Sequence, residues 1–324
     1  MKIFLTGGAG YIGSATAQTL IDAGHSVTVC DSLVTGHRQA VPAKAQFIQF
    51  DLGDDGQLNK MLTANSYDAV LHFAAFIEAG ESMKDPGRFY ENNLVKSLHL
   101  IEAAHRAGVK KFVLSSTAAV YRSSDEHLIE DSPLGPTNVY GHTKLMIEQA
   151  LEWYRQVHGT HYSALRYFNA CGAIPGRGED HQPESHLIPR VLKVALDQEK
   201  AATVNGTDYP TPDGTCIRDY IHLEDLVSAH LLALDALDQQ DRLIYNLGSG
   251  SGYSVKQVID CAREVTDHPI PIREAPRRPG DSARLVASSE KIRRELGWKP
   301  LYEELRVIIA SAWDWHKSHP HGYV

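Results

Sequence analysis

Two hydrophobic periods take turns along the first half of the chain. Short apolar runs at residues 2–6, 26–30, 47–50, 69–73, 111–115 and 162–167 read as strands. The amphipathic stretches 12–23, 56–64, 93–107 and 140–158 lie between them and read as helices, with Gly24, Gly108 and Gly159 where those helices should stop. Strand–helix alternation at this spacing predicts an α/β fold with a parallel, doubly wound sheet. Strands this short and this apolar suit a sheet covered on both faces.

After Phe168 the texture changes. Residues 169–190 carry Gly172, Pro175, Gly176, Gly178, Pro183 and Pro189, too much punctuation for a regular element. Further loop-rich patches run over 206–214 and 269–280. Helices at 224–237 and 254–266 and a strand at 242–247 lie between them. Residues 1–168 therefore read as one domain. Residues 169–324 read as a smaller, irregular α/β domain covering the sheet's carboxyl edge, with segments around 217–240 free to return to the first.

Composition narrows the class. With 324 residues the chain can bury a sizeable core, and 43% hydrophobic with 22% charged residues is ordinary for a globular protein. A net charge of -8 argues against nucleic acid as the main partner. Cys30, Cys171, Cys216 and Cys261 form no C-x-x-C, so free thiols in a reducing compartment are expected. No apolar run reaches membrane-spanning length and no signal region opens the chain, so a cytoplasmic protein without a membrane partner is expected. Of the 17 histidines, His316, His319 and His321 cluster near the end, and His181 and His186 flank Pro183. None shows a helical ligand spacing with a carboxylate partner, and no metal is expected.

The first strand runs directly into Thr6-Gly7-Gly8-Ala9-Gly10-Tyr11-Ile12-Gly13, in which Gly8, Gly10 and Gly13 satisfy G-x-G-x-x-G between a strand and a helix. Such a turn lets the backbone approach a pyrophosphate, which then faces the unpaired N–H groups of the helix. The second strand ends in Asp31, about 20 residues on, where a carboxylate accepts both ribose hydroxyls of NAD. Ser32 follows rather than an arginine, which favours NAD over NADP, with Arg38 as the one reservation. This places the fold in the Rossmann type.

Ligands in such sheets bind outside the carboxyl ends of the strands. Those ends are consistently polar or small: Asp31-Ser32, Asp51-Leu52, Ala74-Ala75, Ser115-Ser116-Thr117 and Phe168-Asn169. On the helix from Asn138 to Gly159, the apolar stripe Ile147, Leu151, Tyr154 continues backwards onto Lys144 and Tyr140. An ammonium and a phenol thus face inward, where a cation beside a phenol makes it a usable base. The Tyr-x-x-x-Lys spacing is common by itself, and only this setting gives it weight.

The stretches TGGAGYIGS (6–14), HFAAFIEAGES (72–82), SSTAAVY (115–121), YGHTK (140–144), RYFNACGA (166–173), TPDGTCIRDYIHLEDL (211–226), YNLGSGSGYSV (245–255) and PRRPGDSARLVAS (276–288) span nearly the whole length in order. Through them the chain resembles the extended short-chain dehydrogenase/reductase family, and within it the UDP-glucose 4-epimerases. The resemblance implies Tyr140 as general base, Lys144 lowering its pKa, and Thr117 bridging the sugar's 4'-hydroxyl to Tyr140. It implies NAD contacts at Gly7, Gly10, Tyr11, Ile12, Gly13, Asp31, Ser32, Asp51, Leu52, Phe73, Ala74, Ala75, Asn92, Ser115, Tyr140, Lys144 and Phe168. Contacts to a UDP-hexose substrate fall on Thr117, Asn169, His186, Leu187, Thr203, Asn205, Arg218, Tyr220, Arg278, Asp281 and Leu285. Arg218 and Arg278 also make chemical sense unaided, since guanidinium groups grip a diphosphate bidentately; Arg277 reads as surface charge.

The implied activity is inversion of C4 through a 4-keto sugar, in a homodimer. Arg122 where the family usually has glycine, and Ala79 for a common valine, depart from the pattern away from the chemistry. Leu285 falls at a gatekeeper position beside the sugar's C2 substituent, which leaves N-acetyl sugars, and other UDP-sugars, open. Dehydratase and decarboxylase relatives carry an acidic residue just after Thr117; here stand Ala118 and Ala119, which move no proton. A non-catalytic NAD-binding relative usually lacks the tyrosine or lysine, and both are present.

Overall fold

The computed structural model describes residues 1–323 apart from residue 279. Strands β1 (Lys2–Thr6), β2 (Ser26–Asp31), β3 (Gln46–Gln49), β4 (Ala69–His72), β5 (Lys111–Thr117) and β6 (His161–Tyr167) alternate with helices α1 (Tyr11–Asp22), α2 (Asp55–Asn65), α5 (Lys96–Arg106) and α6 (Val139–His158). Two single turns, α3 (Ala79–Ser82) and α4 (Pro86–Phe89), precede a π-helical segment at Tyr90–Val95 that runs into α5. The later elements are β7 (Asn169–Cys171), α7 (Leu187–Ala195), β8 (Ala202–Asn205), β9 (Ile217–Arg218), β10 (Tyr220–His222), α8 (Leu223–Ala236), β11 (Arg242–Leu247), β12 (Tyr253–Ser254), α9 (Val255–Thr266), β13 (Ile272–Ala275), β14 (Arg284–Leu285), α10 (Glu290–Leu296) and α11 (Leu305–Ser318).

The main sheet has seven parallel strands in the order β11-β6-β5-β4-β1-β2-β3. Alternate residues of each strand feed two cores, as the pleat requires. Ile3 and Leu5 join Ala17 and Leu20 of α1 and Leu226 and Ala233 of α8, while Phe4 joins Leu58 of α2, Leu100 of α5 and Ile147 of α6. Both faces are therefore covered, which is why the strands read as apolar throughout. A third core, built from α7, α9 and α11 on β8, belongs to the second half.

Three readings of the sequence need correction. The strand at 242–247, placed with the second half, is the seventh strand of the main sheet, paired with β6 from Arg242↔Tyr162 to Leu247↔Tyr167. With α8 packed on α1, the sheet takes its last helix and strand from beyond residue 168. Residues 169–190 are not wholly irregular, since β7 lies at their start and α7 begins at Leu187. Pro189 sits in that helix's first turn, where its missing N–H breaks no bond. Within 269–280, β13 pairs in parallel with β8. These strands are three to four residues long and exist through their partners rather than through a pattern of their own.

Beneath the carboxyl ends of the sheet lies a buried ion pair. Arg166 of β6 donates to both oxygens of Glu148 on α6, at 3.1 and 2.6 Å, with side chains 3% and 5% exposed. Ser116 of β5 donates to the same carboxylate, and Arg166 also reaches the Tyr121 hydroxyl at 2.7 Å and the Glu130 carbonyl at 3.2 Å. Tyr121 in turn donates to Asn246 of β11 at 2.7 Å. Removing one partner strands a buried charge. Arg166→Met is expected to cost about 3–5 kcal/mol in urea unfolding, and the double variant Arg166→Met/Glu148→Leu to recover much of that. A double variant no more stable than the single one contradicts this account.

Candidate active site

The strands deliver their carboxyl ends to one edge, and a cavity of about 1000 Å³ opens there. Gly7 turns the chain out of β1 with φ of 74°, and a Cβ there would lie 2.5 Å from the Ala74 backbone nitrogen. The turn demands glycine at Gly7, one residue before the motif glycine picked out in the sequence. The first bond of α1 runs from Ser14 N–H to the Gly10 carbonyl at 2.9 Å. The preceding N–H groups at Tyr11, Ile12 and Gly13 are left for a ligand, and all three residues line the cavity. This is an anion cradle.

Asp31 and Ser32 line the next stretch of wall. The Asp31 carboxylate accepts the N–H groups of Ala9 and Leu33, both at 2.9 Å, and burial raises its pKa despite those bonds. Arg38 lies over the Phe47 ring, 4.5 Å from its centre, and does not line the cavity, which removes the reservation it raised. Asp51, Leu52, Phe73, Ala74, Ala75 and Asn92 follow. Here the structure adds Lys96, unforeseen in the sequence, whose ammonium bridges Asp51 at 2.7 Å and Asn92 at 3.2 Å. Its signal was its place one helical turn beyond Asn92.

Thr117 ends β5, Tyr140 opens α6, and both line the cavity with Ser115 and Phe168. Asn138 caps α6 by accepting the Gly141 N–H at 2.8 Å. A Cβ on Gly141 would lie 2.3 Å from the Ala119 carbonyl, so only glycine lets α6 approach the end of β5 this closely. The Ser82 hydroxyl accepts the Tyr140 N–H at 3.1 Å. Lys144 is 1% exposed and, alone among the expected site residues, does not line the cavity; its ammonium donates to the Ser115 carbonyl at 2.7 Å.

Burial dominates the electrostatics of this pair. It pushes the Tyr140 hydroxyl up to about 12, with the neighbouring Glu78 carboxylate adding to the rise and Thr117 opposing it. It pushes Lys144 down to about 8, against the pull of Glu148. Burial and Glu78 thus favour the neutral phenol, rather than the lowered pKa expected from the sequence, while Lys144 is turned to the Ser115 carbonyl. Glu78, which also lines the cavity, was not foreseen as a site residue.

The remaining wall comes from the second half. Asn169, His186, Leu187, Thr203, Asn205, Arg218, Tyr220, Arg278, Asp281 and Leu285 all line it. Asp281 stands between the two arginines, 2.9 Å from Arg278 Nε and 3.6 Å from Arg218 Nη2. Arg277 turns away onto the Tyr209 ring and pairs with Asp208. Ala118 and Ala119 line the cavity beside Thr117 and offer no proton carrier.

The family model for the NAD dependent epimerase/dehydratase family matches residues 3–248. The UDP-glucose 4-epimerase of Halalkalibacterium halodurans is 50% identical over 327 residues, covering 100% of this chain and 98% of that relative. A crystal structure of a UDP-glucose 4-epimerase is 49% identical with a TM-score of 0.95, covering 100% of both chains. That of the Bifidobacterium longum UDP-glucose 4-epimerase in complex with NAD+ and UDP is 36% identical with a TM-score of 0.95, covering 99% and 100%.

The depressed Lys144 pKa has a consequence for stability. Folding penalises the charged amine fully below about pH 8, and the penalty fades as pH rises towards the unfolded value near 10.5. That penalty is about 3 kcal/mol. Lys144→Met is therefore expected to melt above wild type at pH 7, with the gap narrowing between pH 8 and 10.5 in thermal scans. A gap independent of pH sinks the assignment.

Proposed function

The chain belongs to the NAD dependent epimerase/dehydratase family, and from that premise we propose that it is a UDP-glucose 4-epimerase, inverting C4 of a UDP-hexose through a 4-keto sugar. The observation that carries this reading is one cavity holding the glycine turn, the Thr117–Tyr140 edge and the Arg218–Asp281–Arg278 cluster together. The turn at Gly7 and the free N–H groups of α1 fit a pyrophosphate, and Asp31 with Ser32 fits an adenosine ribose. Asp51, Leu52, Phe73, Ala74, Ala75, Asn92, Ser115 and Phe168 hold the rest of NAD. When bound, NAD supplies a reversible hydride acceptor.

Arg218 and Arg278 grip the UDP diphosphate, and Asn169, His186, Leu187, Thr203, Asn205, Tyr220 and Asp281 complete the nucleotide-sugar wall. Tyr140 Oη takes the proton of the 4'-hydroxyl, directly or through Thr117 Oγ1, and returns it to the inverted alcohol. Lys144, one turn along α6 and held on the Ser115 carbonyl, is the cation that would ease ionisation of the phenol against the burial that raises its pKa. Residues 1–168 with α8 and β11 carry the dinucleotide, and the rest of 169–324 carries the UDP-sugar. The four free thiols fit a cytoplasmic setting. Leu98, Trp153 and Val157, exposed on α5 and α6, fit a homodimer face. Among the described residues, no helix is long and apolar enough to cross a membrane.

Purified protein is expected to interconvert UDP-glucose and UDP-galactose without added reductant. Tyr140→Phe should lower kcat by about 10²–10⁴-fold while NAD stays bound, and near-normal turnover would overturn the base assignment. Leu285 lines the cavity and serves as the sugar gatekeeper. A panel of UDP-sugars with and without an N-acetyl group is expected to shift away from N-acetyl substrates in Leu285→Tyr; an unchanged ratio removes Leu285 from that role.

A further inference from the structure

Arg218 and Tyr220 of the cavity wall flank a side chain that does not line the cavity. Asp219 links β9 to β10 and is 0% exposed, yet its carboxylate gathers five hydrogen bonds. Oδ1 accepts the Tyr220 N–H at 2.8 Å, the Ser249 N–H at 3.0 Å and the Ser249 hydroxyl at 2.7 Å. Oδ2 accepts the N–H groups of Gly250 and Ala287, both at 2.9 Å. The main chain adds two more bonds. The Asp219 N–H donates to the Leu285 carbonyl, and its carbonyl accepts the Asn169 N–H, each at 3.0 Å.

Separate stretches of chain meet at this carboxylate. Ser249 and Gly250 follow β11, an edge strand of the main sheet, while Ala287 lies two residues past Leu285. Local sequence makes room for the group. A Cβ on Gly248 would lie 2.5 Å from Asp219 Oδ2, and Gly250 turns with φ of 81°, which suits glycine. A buried carboxylate is costly unless its oxygens are satisfied. This one stands where four expected substrate contacts converge: Arg218 and Tyr220 are its chain neighbours, and Asn169 and Leu285 are its backbone partners. Among the described residues, none of the expected NAD contacts bonds to it.

We propose that Asp219 is a positioning residue for the UDP-sugar, fixing Arg218 and the gatekeeper Leu285 to the end of β11 and so to the sheet that carries NAD. This rests on the reading of the cavity as a UDP-sugar site. Arg218 of β9 pairs with Leu285 of β14, so a slip at Asp219 moves both together. Asp219→Asn forces such a slip. Whichever way the amide turns, its NH2 faces backbone N–H groups, those of Gly250 and Ala287 on one side or of Tyr220 and Ser249 on the other.

UDP binding to the full-length protein, loaded with NAD, is measured by calorimetry, and bound NAD is read after denaturation. Asp219→Asn is expected to raise the Kd for UDP and the KM for UDP-glucose by about 10–100-fold. Its kcat at saturation and its NAD content should stay near wild type. Asp225→Asn is the control for lost stability. Asp225 is also buried and accepts the Leu301 and Tyr302 N–H groups at 2.7 and 2.9 Å, but it does not line the cavity. That variant should melt early and keep wild-type UDP affinity. Ser249→Ala deletes a single bond, should weaken UDP binding at least about twofold, and decides the matter if Asp219→Asn does not fold. Wild-type UDP affinity in Asp219→Asn, or in Ser249→Ala where only that variant folds, overturns the role of Asp219; so does an equal loss in Asp225→Asn. Wild type that binds no UDP removes the UDP-sugar site itself, a failure distinct from that of Asp219.

Discussion

The Arg166–Glu148 pair is the constraint on which the site depends. Two charges removed from water are tolerable only when nearly every donor and acceptor around them is met. Here that requires Ser116 of β5, Tyr121 beyond it, the Glu130 carbonyl and, through Tyr121, Asn246 of β11. Partners drawn from three strands and one helix favour a single docking of α6 against the sheet. Lys144 lies one turn before Glu148 on that helix and Tyr140 one turn further, so the position of the phenol follows from the pair beneath it.

Burial sets the chemistry as firmly as it sets the geometry. The same desolvation that lowers Lys144 to about 8 lifts Tyr140 to about 12, so near neutrality the phenol rests neutral beside an amine that stays charged at a cost. The Ser115 carbonyl holds the amine, and Glu78 discourages the phenolate. Positive charge brought beside the phenol shifts that balance towards the phenolate, because a nearby cation favours the charged form. A phenol so poised is a weak base until a cationic ligand arrives.

Much of this was legible in the sequence, and the reasons for the gaps are physical. The strand–helix alternation of the first half, the N-cap at Asn138, and the inward Lys144 all follow from periodicity, because those elements carry their own pattern. Strands β7, β8 and β13 do not: each is held by its neighbour, and no local signal marks it. β11 had a clear pattern but no address, since pairing with β6 is a long-range fact. In the site, the residues expected from motifs reached the cavity, with Lys144 just behind its wall. Lys96 and Glu78 were missed because a lone charge beside a motif reads as a solvated face.

On the proposed assignment a single base serves both C4 epimers, and that divides the work of the cavity. Ala118 and Ala119 leave Tyr140 with no second proton carrier beside Thr117, and Tyr140 is fixed by α6. The base cannot cross the ring, so the ring must turn in front of the base. Anchoring therefore belongs at the far end of the substrate, where two guanidiniums already stand around Asp281 and match a diphosphate. Around the sugar the wall must instead be small or apolar, as Ala118, Ala119 and Leu285 are, because each strong contact to one epimer slows release of the keto sugar to the other. Tight grip on the nucleotide and loose grip on the ring are thus one requirement imposed by a fixed tyrosine.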